Sequence, residues 1–290
     1  MSDVMERNRI LRCKGKVLDL SQRSYVMGVL NVTPDSFSDG GKYIDGDTAL
    51  RHALSMIDDG ADIIDIGGES TRPKGPYGDG AQPVNAQEEM DRVIPVIERL
   101  AASTDAIISI DTYKSVVAGE ALRAGASMVN DISGLLFDPR IADVAAEHNA
   151  ALVVMHIRGT PSTMQLQPEY DDVVREVKEE LRQSAAKAAA SGVRDIIIDP
   201  GIGFGKNLTH NLTIIKHLSS FRDLGFPIMI GTSRKGFIGS LLNLPVDQRV
   251  EGTAATVAAA LLNGADIIRV HDVKEMKRVA AVIDAINTIP

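Results

Sequence analysis

Apolar and polar positions follow two alternating periods along this chain. Short apolar runs at Tyr25–Leu30, Asp62–Ile66, Ala106–Ile110, Met128–Val129, Ala151–Met155, Asp195–Ile198, Pro227–Ile230 and Asp266–Val270 are bounded by turn residues. Runs this short and this uninterrupted fit strands covered on both faces, as in a parallel sheet. Between them, Asp47–Asp59, Gln87–Ala102, Ser115–Ala124, Ile141–Glu147, Asp171–Ser191, Leu212–Ser219, Arg249–Leu262 and Val273–Ile286 place apolar residues three or four apart. That is the spacing of a helix with one buried face. Gly60, Gly125, Gly192 and Gly264 each follow such a helix, where a left-handed residue turns the chain into the next strand. Strand alternating with helix eight times, without a dinucleotide fingerprint, predicts a (β/α)8 TIM barrel rather than a doubly wound open sheet. Residues 9–24 read as two short strands around Lys14-Gly15-Lys16, an N-terminal β-hairpin outside the barrel. No fixed-period repeat or linker divides the chain. A single domain over 1–290 is expected, with 1–24 as extension and hairpin and 25–290 as the barrel.

Almost every apolar run ends in a polar residue. In a barrel of this kind the active site forms where the strands run out into the following loops. Those ends carry Asn31, Gly67–Arg72, Asp111, Asn130-Asp131, His156, Asp199, Thr232–Lys235 and Arg269–His271. Any one of them is explained as readily by capping of the next helix. So many together point to a site. Asp111, Asn130 and Asp199 offer two carboxylates and an amide that can read the edges of a flat heterocycle with N–H donors and ring acceptors. Lys235 can donate to a ring acceptor, and Arg269 can stack on a ring or bind an anion. Asn31, Arg72, Arg269 and His271 can surround a phosphate. The polar loop after the first barrel strand, residues 31–41, reads as a lid that closes over substrate, or as a plain surface loop. Asp199-Pro-Gly-Ile-Gly-Phe-Gly-Lys206 resembles a phosphate loop only superficially: its spacing is one residue short, and Asn207 stands where Ser or Thr is needed. The glycines make this a flexible, backbone-rich loop on first reading, and a tight turn that lets Phe204 face a ligand is a better reading than a phosphate cradle. His156 ends a strand and reads equally as a core histidine or a ligand.

Composition narrows the partners. With 44% hydrophobic and 24% charged residues the chain has the makeup of a globular protein. A net charge of −8 argues against a nucleic-acid binder, yet leaves room for an anionic small molecule held by local cations. The lone Cys13 allows no internal disulfide, which fits a reducing cytoplasm. No apolar run reaches membrane-spanning length and the start lacks an apolar signal core, so no membrane association or secretion is expected. No histidine pair has zinc spacing. A metal, if used, would be Mg2+ held through substrate phosphates and an oxygen such as that of Asn31.

Several stretches resemble one known family. Met27-Gly-Val-Leu-Asn-Val-Thr-Pro-Asp-Ser-Phe-Ser-Asp-Gly-Gly41 and Asp65-Ile-Gly-Gly-Glu-Ser-Thr-Arg-Pro73 look like its two signatures. Ser109-Ile-Asp111, Asn130-Asp-Ile-Ser-Gly134, Asp199–Lys206, Gly231-Thr-Ser-Arg-Lys235 and Arg269-Val-His271 follow in its order. The family is dihydropteroate synthase. The resemblance implies condensation of a hydroxymethyl-dihydropterin pyrophosphate with p-aminobenzoate, giving dihydropteroate and pyrophosphate, with Mg2+ as cofactor and a homodimer as the assembly. It implies that Asp111, Asn130, Met155, Asp199, Lys235 and Arg269 hold the pterin. Asn31, Arg72, Arg269 and His271 would take the pyrophosphate, with Asn31 on the metal. Phe37, Thr71, Arg72, Pro73, Phe204, Lys235 and Gly236 would surround p-aminobenzoate. Asp35, Asp111, Asp199 and Lys235 would act in catalysis. On this reading Asp199 serves the pterin and Phe204 the p-aminobenzoate. The chain departs from the family where Lys74–Gln82 lengthens the second loop and where Gly236 replaces a frequent serine. Both changes fall at the p-aminobenzoate end, so insensitivity to sulfonamides, which imitate that substrate, is an expectation. The competing readings are a methyltetrahydrofolate–corrinoid methyltransferase type of barrel and a non-catalytic pterin-binding paralogue.

Overall fold

The computed structural model describes residues 9–13, 15–33, 46–70, 83–166 and 168–289. Strands β1 (Ile10–Cys13) and β2 (Lys16–Asp19) pair antiparallel as the expected hairpin. Eight parallel strands follow: β3 (Tyr25–Asn31), β4 (Ile63–Gly67), β5 (Ile107–Asp111), β6 (Met128–Asp131), β7 (Ala151–Met155), β8 (Ile196–Asp199), β9 (Met229–Ile230) and β10 (Ile267–Val270). Their order is β8-β7-β6-β5-β4-β3-β10-β9, and the bridge Ile198↔Ile228 joins the two ends, so the sheet closes on itself. With helices around it, this is the (β/α)8 barrel expected from the alternation.

The helices differ from expectation in instructive places. The one read from Leu212 begins at Leu208, because Asn207 accepts from the backbone N–H of His210 and caps it four residues earlier. The one read from Asp171 begins at Val173, because Asp172 accepts from the N–H groups of Val174 and Arg175. A short helix over Gly236–Leu242 has no counterpart in the periodicity; its two glycines and exposed leucines conceal the buried pair Phe237 and Ile238.

The interior is layered. Leu11, Cys13, Leu18 and Leu20 of the hairpin pack with Tyr25, Ile63, Ile107, Met128 and Ile267, which open their strands. The hairpin therefore plugs the end of the barrel where the strands start. Lys16 donates to the carbonyl of Ala106 and the Arg12 N–H to Asp195, which fix the plug at its rim. A strand turns every second side chain to the same face. Moving up by two residues converts Ile63 to Asp65, Ile107 to Ser109, Met128 to Asn130, Ile197 to Asp199 and Ile267 to Arg269. The inward face thus changes from apolar at the plug to polar at the mouth, over one step of the pleat.

Candidate active site

That polar layer floors a pocket bounded by Asp111, Asn130, Met155, Asp199, Lys235 and Arg269, with Ile132, Ile202, Phe204 and Gly231. All six residues expected to hold the pterin thus come together, from six different strands or strand ends. Arg269 is their hinge pin. Its Nε donates to Asp65 Oδ2 at 2.6 Å and one terminal nitrogen donates to Asp111 Oδ2 at 2.6 Å. Asp65 is fully buried and also accepts from Asn130 Nδ2 at 2.9 Å. That bond fixes which way the amide points. Asn130 Oδ1 is left buried without a partner among the described residues, as are Asp65 Oδ1 and Ser109 Oγ. A buried acceptor of this kind calls for a donor on the ligand.

Asp199 is oriented in the same manner. Its Oδ1 accepts from the backbone N–H of Gly201 at 2.7 Å, which leaves Oδ2 for a ligand. Burial pushes the Asp199 carboxyl upward, partly offset by the Gly201 N–H and the cation of Lys235. Burial likewise pushes Asp111 upward, with Arg269 pulling it back. It pushes the Lys235 ammonium down, and the neighbouring Arg269 charge adds to that. Lys235 Nζ lies 4.2 Å from the centre of the Phe204 ring. Acceptors on two sides and a donor on a third suit an amino-substituted heterocycle lying flat against Met155 and Phe204.

The turn Gly201–Gly205 is not the flexible loop read from its glycines. Each glycine of 201, 203 and 205 sits at positive φ, and a Cβ at Gly201 would meet the His156 carbonyl oxygen at 1.9 Å. Glycine serves close packing here. Phe204 is 9% exposed and packs with Ile132, Met155, Ile157 and Met164.

Strand alternation also sorts the neighbours that sequence order puts side by side. Asn130 faces the pocket while Asp131 turns away and accepts from the N–H groups of Ser133 and Leu135. Met155 faces the pocket while His156 is buried behind it, with Nδ1 2.8 Å from Lys206 Nζ and Nε2 3.0 Å from Glu180. Burial beside Lys206 lowers the His156 imidazole to about 4. His156 is thus a core histidine.

At the mouth, His271 is exposed and its Nδ1 lies 3.0 Å from Ser233 Oγ. Asn31 ends β3 half-buried, and Gly236 opens its helix with open space where a Cβ would stand. Asp35, Phe37, Thr71, Arg72 and Pro73, with residues 34–41 of the expected lid and the lengthened second loop, lie outside the described residues. Among the described residues no three His, Cys, Asp or Glu side chains could hold a metal, and no helix is long and apolar enough to cross a membrane. Sequence reasoning missed Asp65 and Lys206 as site residues. A charged residue inside an apolar strand, at even spacing from Ile63, is the signal that marked Asp65.

The family model described as pterin binding enzyme matches residues 27–271. The chain is 49% identical over 283 residues to the dihydropteroate synthase of Bacillus subtilis, covering 97% of this chain and 95% of that one. Among solved structures, the Yersinia pestis dihydropteroate synthase in complex with a sulfonamide drug superposes with a TM-score of 0.89 at 44% identity, covering 97% of this chain and 100% of that one. The Xanthomonas albilineans enzyme in complex with 7,8-dihydropteroate superposes with a TM-score of 0.85 at 39% identity, with the same coverage. Similarity of this extent sets aside the methyltransferase reading. At 49% identity across 97% of its length, with its barrel superposing on these enzymes, the chain belongs to the dihydropteroate synthase family.

Proposed function

We propose that this barrel condenses 6-hydroxymethyl-7,8-dihydropterin pyrophosphate with p-aminobenzoate to give 7,8-dihydropteroate and pyrophosphate, by pyrophosphate departure followed by amine attack. The observation that carries the reading is the pocket on which Asp111, Asn130, Asp199 and Lys235 converge from four different strand ends. Asp199 and Asn130 accept from the amino and ring N–H groups of the pterin, and Lys235 donates to a ring acceptor. The C–O bond breaks with its electron pair leaving on pyrophosphate, and the cation left on the pterin methylene is favoured by Asp111 and Asp199. The amine nitrogen of p-aminobenzoate then forms the C–N bond and releases a proton. No protein nucleophile is needed, since the chemistry asks for orientation and charge placement.

Arg72, Arg269 and His271 with Asn31 take the leaving pyrophosphate. Arg269 is shared between this duty and its two carboxylates, which hold its guanidinium ready at the pocket wall. Mg2+ fits only through the substrate. Asn31, at the end of its strand, would offer an amide oxygen to such an ion, and the phosphates of the substrate would supply the rest of its hold. Such an ion would neutralise charge developing on the leaving group. Asp35 joins the carboxylates from the first loop. Thr71, Arg72, Pro73 and Phe37 surround p-aminobenzoate beside Phe204, Lys235 and Gly236.

The test is release of pyrophosphate dependent on both substrates and Mg2+. Its absence with both substrates present would reject the synthase reading in favour of a binding-only paralogue. Run across a sulfonamide titration, the same assay tests the p-aminobenzoate end. The longer second loop and Gly236 are expected to leave activity at drug concentrations that stop a relative with the short loop. Equal loss in the two enzymes rejects insensitivity.

The assembly proposed is a homodimer. Leu262, Val282 and Ile286 are 55%, 60% and 52% exposed on the helices Val250–Leu262 and Val273–Asn287, an apolar face that a second copy could cover. Light scattering should give twice the chain mass, and Val282→Glu with Ile286→Glu should halve it. A monomeric unaltered protein refutes the dimer. A buried lone thiol suits the cytoplasm as the working compartment.

A further inference from the structure

Behind the pocket floor lies a lysine that is not among the residues lining the pocket. Lys206 is 2% exposed, and its Nζ lies 3.0 Å from the carbonyl oxygen of Gly201, 2.9 Å from that of Phe204 and 2.8 Å from His156 Nδ1. A buried amino group of this kind is costly unless its hydrogen bonds are made, and here three are made, one of them to a histidine fifty residues away. Two of the three go to the carbonyls that begin and end the Gly201–Phe204 turn. The same turn closes on itself through the Phe204 N–H donating to Gly201 O at 3.1 Å.

The consequences reach the pocket by two short covalent paths. Gly201, whose carbonyl Lys206 holds, is also the residue whose N–H orients Asp199 Oδ1. The Phe204 carbonyl it holds belongs to the residue whose ring lies under Lys235 Nζ. Asp199 and Phe204 therefore hang from one nitrogen, which in turn rests on His156 and, beyond it, on Glu180. We propose that Lys206 is a positioning residue of the synthase, which sets the pose of the Asp199 carboxylate and the Phe204 ring together by clamping the two ends of the Gly201–Phe204 turn. It neither binds substrate nor takes part in proton transfer. The inference rests on the reading of Asp199 and Phe204 as substrate contacts.

A residue that merely supported the fold would, when replaced, lower the melting temperature and the fraction of active enzyme while leaving the KM of the survivors alone. A positioning residue moves KM. Lys206→Met keeps the length and removes the donors, and Lys206→Gln keeps a shorter polar group. Steady-state kinetics on folded protein should show KM for both substrates raised, about tenfold for the methionine variant and less for the glutamine one, with kcat changed by less than about threefold; tenfold corresponds to about 1.4 kcal/mol. Val177→Ala, a cavity in the buried face of the helix Val173–Ala190, serves as the control, with a lowered melting temperature and unchanged KM. Lys206 variants that match this control, with unchanged KM, overturn the proposal, as does a rise in KM confined to one substrate.

Deuterium exchange on the unaltered enzyme covers the case in which neither variant folds. The clamped turn should protect the Gly201 and Phe204 amides in the ligand-free protein as well as the β8 amides are protected, whereas exchange at the rate of an open loop overturns it. Calorimetric binding of a pterin and of p-aminobenzoate to the same variants separates the two layers of argument. Loss of binding without any condensation activity in the unaltered enzyme would sink the catalytic reading and leave the clamp standing.

Discussion

Asp199→Asn is expected to raise KM for the pterin substrate roughly thirtyfold, from the loss of about 2 kcal/mol of charge-assisted hydrogen bonding. An asparagine can keep the Gly201 bond by pointing its amide oxygen at that N–H. Its NH2 then faces the pocket where the carboxylate offered an acceptor, and meets the donors of the ligand head on. Phe204→Ala is the companion measurement. The sequence reading divides labour between Asp199 and Phe204, but the ring lines the same pocket as Asp199 and lies under Lys235. Phe204→Ala is therefore expected to raise KM for both substrates about tenfold or more, a large buried ring contributing on the order of 1.5–3 kcal/mol to what it contacts. Steady-state kinetics with each substrate varied in turn checks both. A Phe204→Ala effect confined to p-aminobenzoate would restore the division of labour and count against the shared pocket.

Arg269→Met should be the most damaging single change to the folded state. Arg269 is the cation between Asp65 and Asp111, and removing one partner of a buried ionic cluster costs about 3–5 kcal/mol. The pH dependence has a definite sign. Without the guanidinium, burial raises the Asp111 carboxyl with only the weaker pull of the Lys235 charge against it. The folded variant then takes up a proton at a pH where the unfolded chain, with an ordinary carboxyl near 3.9, does not. Its stability rises as pH falls toward that unfolded value. Urea unfolding at pH 7 and pH 5 should show the gap to the unaltered protein narrowing at pH 5. An equal gap at the two pH values would mean that Asp111 is not left charged and unpaired by the change.

The strand ends were legible because the strands of a parallel barrel are mostly apolar and polar residues gather where they run out into loops. Asp111, Asn130, Asp199, Lys235 and Arg269 could be named for that reason alone. The family resemblance added which ligand edge each would meet. Asp65 escaped because it sits mid-strand, two residues below the mouth, and its partner Arg269 is more than two hundred residues away in the chain. Lys206 escaped for a different reason. Its glycine-rich surroundings look like a loop made for motion, and only packing reveals that His156 and the barrel wall press against that loop from behind.

The barrel, its hairpin and the polar residues that end its strands were readable along the chain, since hydrophobic period and strand termination are local properties written in consecutive positions. Tertiary structure alone decided which of two adjacent polar residues faces the pocket, Asn130 rather than Asp131 and Met155 rather than His156. It also decided that Arg269 is already held by two carboxylates and that the Gly201–Phe204 turn is clamped by Lys206. Those outcomes depend on the inward or outward phase of each strand and on ion pairs between distant segments. Both are set only when the sheet closes.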